Sequence, residues 1–155
     1  EPEVYLQDII DASAEEIEPY ISSIGLFRSK AKSVYETSKR IEEVFSGNVP
    51  TEMKDLISLR GVARKTANVV LGNAMGKNEG VVVDTHVSRL SRRFGFTEET
   101  KPEKIEKDLM ALFPQKDWTT LSHLLIYHGR AVCKKRGETC SSDPICKRYC
   151  SNVAS

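Results

Sequence analysis

The 155-residue sequence predicts an all-α fold of two helical lobes. Three observations predict it. Apolar residues recur at helical spacing in segment after segment, and N-capping residues stand ahead of several of those segments. The β-branched run Val81-Val82-Val83 is too short for much of a strand and has no second strand to pair with. In chain order, Ser13 and Glu16 form a capping box ahead of Ile17, Tyr20, Ile21 and Ile24, and Gly25 stops that helix. Ser29 reads as the cap of a second helix, with Ala31, Val34, Ile41, Val44 and Phe45 inward and an end near Gly47. Asn48 to Pro50 is a turn, and Thr51 opens a short helix through Met53, Leu56 and Ile57. After a tight break at residues 59–63, a helix is expected from about Arg64 to Met75, with Ala67, Val70, Leu71 and Ala74 inward. Gly76 to Gly80 is a loop.

Asp84 reads as the N-cap of a helix that buries Val87, Leu90 and Phe94 and closes at Gly95. Thr100 and Glu103 form another capping box, with Pro102 in the first turn, where proline is tolerated. Ile105, Leu109, Leu112 and Phe113 follow at helical spacing, and Pro114 ends the helix. Asp117 is expected to cap the last long helix, with Leu121, Leu124, Leu125 and His128 on one side. The segment from Cys133 to Cys150 is too polar and turn-rich to build its own core, so it needs a staple.

Composition excludes several classes. With 39% hydrophobic and 29% charged residues the chain is ordinary for a globular protein and unlike a disordered one. No apolar run approaches the roughly 18 residues of a membrane helix, so no membrane partner is expected. No basic-then-apolar leader opens the chain. A start at Glu1 without Met reads as a fragment or a processed product. The net charge of +1 conceals a gradient. Residues 1–50 carry 5 Lys/Arg against 10 Asp/Glu, residues 51–100 carry 8 against 6, and residues 101–155 carry 10 against 6. An anionic partner is therefore expected on the back two-thirds, against the plainer reading of a mixed solvated surface.

Four groups of residues bear chemistry. In Leu59-Arg60-Gly61-Val62-Ala63-Arg64-Lys65-Thr66-Ala67, two helices meet at a small-residue turn. A helix N-terminus behind small residues lets a phosphate approach its backbone amides, which is how a helix-hairpin-helix grips DNA without reading sequence. An ordinary helix–turn–helix connection is the other reading. Lys65 lies in the first turn of that helix, where the helix dipole, Arg60 and Arg64 all disfavour an ammonium. That is a setting for an amine nucleophile, set against a solvated surface lysine. Asp84 is an N-cap, and it is also a carboxylate able to stabilise a sugar cation or relay a proton. His86 is a helper to it or a structural histidine. Finally, Cys133, Cys140, Cys146 and Cys150 are the only cysteines, separated by six, five and three residues. Four thiols in a coreless tail favour a soft-metal site, either an iron–sulfur cluster or zinc, with disulfides or free thiols as the remaining readings.

The run LRGVARKTANVV, then VVVDTH about twenty residues later, then LIYHGRAVC, resembles the endonuclease III family of helix-hairpin-helix DNA glycosylases. The likeness covers about residues 13–140. It implies a first lobe over 1–78, with the helix-hairpin-helix at about 53–75, and a second over 79–155 with an iron–sulfur loop at 133–150. By position it makes Lys65 the Schiff-base lysine and Asp84 the catalytic aspartate, both facing one cleft. It implies excision of oxidised pyrimidines from double-stranded DNA containing damaged bases or abasic sites. The nucleotide is flipped out, Lys65 attacks C1′ as the base leaves, and β-elimination then nicks the strand. Lys65 also separates the chain from the adenine-mismatch branch, which lacks a lysine there.

The resemblance implies DNA contacts from Arg60, Gly61, Val62, Ala63, Arg64, Lys65 and Thr66, with a rigid basic turn at Lys134, Lys135 and Arg136. It implies a 4Fe–4S cluster on the four cysteines, with zinc as the alternative. The family spacing is C-x6-C-x2-C-x5-C, which Cys133 and Cys140 keep and Cys146 and Cys150 do not. The family hairpin reads L-P-G-V-G. Arg60 and Ala63 depart from it, and Ala63 fits only with negative φ. Relatives carry more chain before the segment matching residues 1–20, so a shortened form with weaker DNA binding is expected. A non-catalytic helix-hairpin-helix DNA-binding module, a truncated inactive glycosylase and a monofunctional glycosylase are the alternatives. The protein is expected to be a monomer, cytoplasmic and nucleoid-associated in a bacterium, nuclear or organellar in a eukaryote.

Overall fold

The computed structural model describes residues 5–135 and 139–151. Among them the chain is helical, with no strand. It divides into two compact units, Glu1–Ala67 and Asn68–Ser155.

In the first unit, α1 (Leu6–Asp11) and α2 (Ala14–Ile17) pack on α3 (Phe27–Phe45). The capping box forms as expected: Ser13 N donates to Glu16 Oε2 at 2.8 Å and Glu16 N donates to Ser13 Oγ at 3.2 Å. The helix does not run on to Ile24. Pro19 supplies no N–H, and the chain tightens into a 3-10 turn over Glu18–Ile21. Helix α1 lies ahead of the first expected element.

Helix α3 starts two residues before Ser29, behind Leu26 at φ +60°. Ser29 sits inside the helix, and its carbonyl accepts from Ser33 Oγ. Ala31 and Ile41 are buried as expected, but Val34 and Val44 are exposed. The buried stripe is narrower than the apolar pattern, with Ser38 filling it. Ser46 and Gly47 turn left-handed, and Gly47 N reaches back to Ile41 O at 3.1 Å to close the helix. Short α4 (Met53–Leu56) and the start of α5 (Arg64–Ala74) complete the unit.

The second unit holds α6 (Thr85–Arg93), α7 (Pro102–Leu112), α8 (Trp118–Ala131) and α9 (Pro144–Tyr149). Helix α6 packs on α7 and α8. Val87, Leu90, Ile105, Leu109, Trp118, Leu121 and Leu125 form the core with Val81, Val83 and all four cysteines. The three valines are buried without a ladder. Val82 N donates instead to Ser122 Oγ on α8 at 3.0 Å.

Two expected caps are corrected. The N-cap of α7 is Lys101 and makes no side-chain bond, with Pro102 in the first turn. Thr97, not Thr100, holds that corner: its hydroxyl accepts from Glu99 N and donates to Asp108. Asp117 precedes α8 but makes no capping bond, because a 3-10 turn over Gln115–Asp117 already holds it near helical angles. Leu112 and Leu124, expected inward, are exposed. The cysteine segment is not wholly irregular: it contains a 3-10 turn at Thr139–Ser142 and α9. Among the described residues no helix is long and apolar enough to cross a membrane.

Candidate nucleic-acid and metal site

The hairpin turn is set by Gly61. Its φ is +76°, and a Cβ there would meet Ser33 Oγ at 3.0 Å and Ser33 Cβ at 3.1 Å. Both the backbone angle and the close approach of α3 require glycine. Ala63 is not among the positive-φ residues, so alanine fits that position without strain. Helix α3 anchors the turn: Thr37 Oγ1 donates to Arg60 O at 2.9 Å, and Arg60 Nη1 pairs with Glu36 Oε2 at 3.0 Å. Arg60 is thus engaged inside its own unit.

Val62 N closes on Leu59 O at 3.2 Å, and the backbone bond Ala67 N→Ala63 O at 3.0 Å starts the turn of α5. The amides of Lys65 and Thr66 precede that bond and have no acceptor inside the helix. Gly61, Ala63, Arg64, Lys65 and Thr66 are exposed and Val62 is half-buried. Lys65 is the second residue of α5 and makes no salt bridge among the described residues.

Lys65 belongs to the first unit and Asp84 to the second. Asp84 is the N-cap of α6, and its Oδ1 accepts from His86 N and Val87 N, each at 2.8 Å. The buried valines ahead of it fix where this carboxylate is delivered. The other oxygen, Oδ2, has no protein donor among the described residues, so Asp84 can cap the helix and still interact with a ligand. His86 Nδ1 lies 3.3 Å from Arg89 Nη2, and the same nitrogen donates to Gly129 O and Cys133 O at 3.0 and 2.8 Å.

All four cysteines are buried and none is in a disulfide. The sulfurs of Cys133, Cys146 and Cys150 lie within 4.8 Å of one another. Cys140 is buried beside them but is not in that triplet. Burial first, and then the Cys133, Cys140 and Cys150 thiols, push the Cys146 thiol above its ordinary value. Cys146 and Cys150 sit one helical turn apart, and Asp143 Oδ1 caps α9 by accepting from Cys146 N at 2.9 Å.

Around the sulfurs, Arg93 Nη1 donates to Cys133 Sγ at 3.0 Å and His128 Nε2 lies 3.2 Å from Cys146 Sγ. His128, Asp143 and Cys146 form a second group with metal-ligand spacing. Four buried thiols can ionise together only around a cation, and sulfur donors suit a soft one. The residues present therefore fit a soft-metal site.

Lys134 and Lys135 are exposed, and the Lys134 carbonyl accepts from Arg93. Arg136 lies outside the described residues. The sequence reading missed Arg89, Arg93 and Asp143. The first two were legible as an i, i+4 pair on the helix that Asp84 opens, and Asp143 as a cap ahead of Pro144.

The family model described as HhH-GPD superfamily base excision DNA repair protein matches residues 3–115. Endonuclease III of Synechocystis sp. is 55% identical over 126 residues, which cover 81% of this chain and 58% of that protein. Endonuclease III of Bacillus subtilis is 41% identical over 140 residues, 90% of this chain and 64% of that protein. Among solved structures, an endonuclease III in a non-covalent complex with DNA superposes with a TM-score of 0.91 at 36% identity, covering 98% of this chain and 71% of that one. The chain thus spans about three-fifths of the length of these two relatives. The match to the family model and the level of identity establish that this chain belongs to the HhH-GPD superfamily of base excision DNA repair proteins, within the endonuclease III family.

Proposed function

We propose that the protein is a base-excision DNA glycosylase with associated abasic-site lyase activity, acting on oxidised pyrimidines in double-stranded DNA. The observation that carries this reading is an exposed lysine, Lys65, in the first turn of the helix behind the Gly61 hairpin, in a chain 55% identical to an endonuclease III. The amides of Lys65 and Thr66, which have no acceptor inside the helix, hold backbone phosphate at the helix N-terminus. The damaged nucleotide leaves the stack at a cost of a few kcal/mol. The amine of Lys65 attacks C1′ as the bond to the base breaks. Asp84, anchored through Oδ1, stabilises the cationic sugar or moves a proton through Oδ2. The imine formed on Lys65 acidifies the C2′ proton, and its loss expels the 3′ phosphate.

The finer assignment of the metal is a 4Fe–4S cluster held by Cys133, Cys140, Cys146 and Cys150, with zinc as the alternative. Either would supply the cross-link that the segment needs and keep Lys134 and Lys135 in place for phosphate. The partition into lobes at 1–78 and 79–155, a monomeric state and a cytoplasmic location belong to the same proposal.

The test is borohydride trapping on a duplex with one abasic site. The wild type is expected to give a covalent adduct that Lys65→Ala does not give. Duplex binding without any adduct in the wild type would leave a DNA-binding module and remove the lyase.

A further inference from the structure

Glu106 places a carboxyl in the interior of the second unit. It is 6% exposed on α7, among the residues that helix buries, with Ile105 and Leu109. An apolar side chain of similar size would pack there without the cost of desolvating a carboxyl. Its Oε1 accepts from Asn68 Nδ2 at 2.9 Å, across 38 residues of chain. Asn68 lies on α5 and is 4% exposed. Its Oδ1 is buried without a donor among the described residues, so the bond to Glu106 is what orients the amide.

A third stretch of chain meets these two side chains. Gly80 is buried, and a Cβ there would collide with Glu106 Oε1 and lie 2.6 Å from Asn68 Nδ2 and 3.0 Å from Asn68 Oδ1. Gly80 is not among the positive-φ glycines, so the approach of the two side chains requires glycine and the backbone angle does not. From Gly80 the buried valines run to Asp84, and Val82 N is held by Ser122 Oγ at 3.0 Å. Lys65 stands one helical turn before Asn68 on α5. Asn68, Gly80 and Glu106 all belong to the second unit. One buried carboxyl on α7 thus joins the helix that carries Lys65 to the run that ends at Asp84.

We infer that Glu106 is a positioning residue for the reaction: through the Asn68 amide and the bare Cα of Gly80 it fixes α5 to the run that delivers Asp84. This rests on the glycosylase and lyase reading above and deepens it. Glu106 acts through these two groups and not on the sugar. In that reading the Lys65 amine and the Asp84 carboxylate act on one sugar, and a misplacement of about 1 Å costs roughly a hundredfold in rate. Phosphate is held by backbone amides at the start of α5, which do not need the Asn68 side chain. Loss of the joint therefore slows the chemical step and spares duplex affinity.

The test is single-turnover nicking of a duplex with one abasic site at saturating protein, with the adduct trapped by borohydride and duplex affinity read by fluorescence anisotropy. Wild type is compared with Glu106→Ala, with Glu106→Gln, which keeps an oxygen to accept from Asn68, and with Ile105→Val, a trimmed core residue beside it on α7. Asn68→Leu deletes the same bond from the other side and carries the test if circular dichroism shows Glu106→Ala unfolded. The expected result is a rate about a hundredfold lower in the two bond-deleting variants at wild-type affinity, with Glu106→Gln and Ile105→Val close to wild type. A wild-type rate in a folded bond-deleting variant overturns the positioning role. An equal loss in Ile105→Val also overturns it, because the effect is then general damage to the core. A loss of affinity at an unchanged rate overturns it as well. So does a loss in Glu106→Gln as large as in the bond-deleting variants, because the acceptor is then not what positions the helix. A wild type that gives no adduct overturns the lyase reading itself, a result separate from any difference among the variants.

Discussion

Arg93 donates an Nη1–H to the sulfur of Cys133 over 3.0 Å, joining α6 to the cysteine segment. The same nitrogen donates to Lys134 O at 3.0 Å, and the Arg93 carbonyl accepts from Ser151 N at 2.8 Å. One residue thus ties the helix that Asp84 opens to both ends of the segment. Hydrogen bonds involving a charged group contribute about 1.5–3 kcal/mol each. Arg93→Met is expected to destabilise the metal-loaded protein by about 2 kcal/mol, lowering its melting temperature by roughly 4–8 °C. Arg93→Lys keeps the charge but not the fork, and should fall between. Thermal melts by circular dichroism read this directly, and an unchanged Arg93→Met melt would refute it.

Asp84 caps α6 through Oδ1, and the chemical role proposed for it falls to Oδ2, so two substitutions separate the two. Asp84→Asn retains a side-chain oxygen that can accept from His86 N and Val87 N, so it keeps the cap. Asp84→Ala removes the cap and costs about 1 kcal/mol of stability. Both remove the carboxylate charge, so base release should fall by roughly a hundredfold or more in each. Urea unfolding beside single-turnover assays makes the comparison. Equal destabilisation by the two variants would show that the cap is not what Asp84 supplies to the fold.

Much of this was legible in the sequence because the signals are local. Ser13, Asp84 and Gly61 act through bonds and angles within a few residues, and each does in the structure what its spacing implies. The failures arise where tertiary context decides. Val34 and Leu124 fit helical periodicity yet are exposed, because α3 and α8 each bury only a narrow stripe against their neighbours. Thr100 matched a capping pattern, but Thr97 held the corner through Asp108 on the next helix. The cysteines were legible as a cluster. The contacts that Arg93 and His128 make with them were not, because 40 and 18 residues separate these side chains from the sulfurs they meet.

The Gly61 turn gives a sharp contrast with Gly25. Gly61 has φ +76° and Ser33 within 3.1 Å of a would-be Cβ, whereas Gly25 has nothing within 4 Å and no positive φ. Gly61→Ala is expected to lose roughly 1–3 kcal/mol, because left-handed backbone strains an L side chain even if Ser33 gives way. Gly25→Ala should be neutral or slightly stabilising, by restricting the unfolded chain. The urea midpoints should separate while the m-values stay equal. A Gly61→Ala midpoint matching wild type would mean that the turn rearranges at no cost.

Metal removal should be felt beyond the cysteines. Cys133, Cys146 and Cys150 are fully buried, and they belong to the same core as Leu90 and Leu125. Stripping the metal leaves four thiols crowded in that core without their cross-link. The expected result is proteolytic nicking within 133–150 and a lower melting temperature, with most helical signal retained. Iron and acid-labile sulfide in the protein as isolated would identify the cluster, and zinc without sulfide the alternative. A chelated protein as protease-resistant as the loaded one would count against any structural role for the metal.

Gly129 tests how tightly α8 is seated on α6. A Cβ at this position would lie 2.9 Å from His86 Nδ1 and 3.1 Å from both Arg89 Nη2 and His86 Cβ, closer than packed atoms allow. Arg89 Nη2 also donates to the Gly129 carbonyl, so it cannot withdraw without losing that bond and its bond to Cys133 O. The cheaper response is rotation of the His86 ring, which breaks its contact with Arg89. Gly129→Ala is therefore expected to cost about 1–3 kcal/mol, the usual range for overpacking a tight contact. In Gly129→Ala combined with His86→Ala the ring that blocks the Cβ is gone, so part of that loss should return. The double-mutant cycle by urea unfolding reads the coupling, which should be at least 0.5 kcal/mol for residues in direct contact. Strict additivity would mean that α8 shifts as a body and that the Gly129–His86 approach does not fix its position.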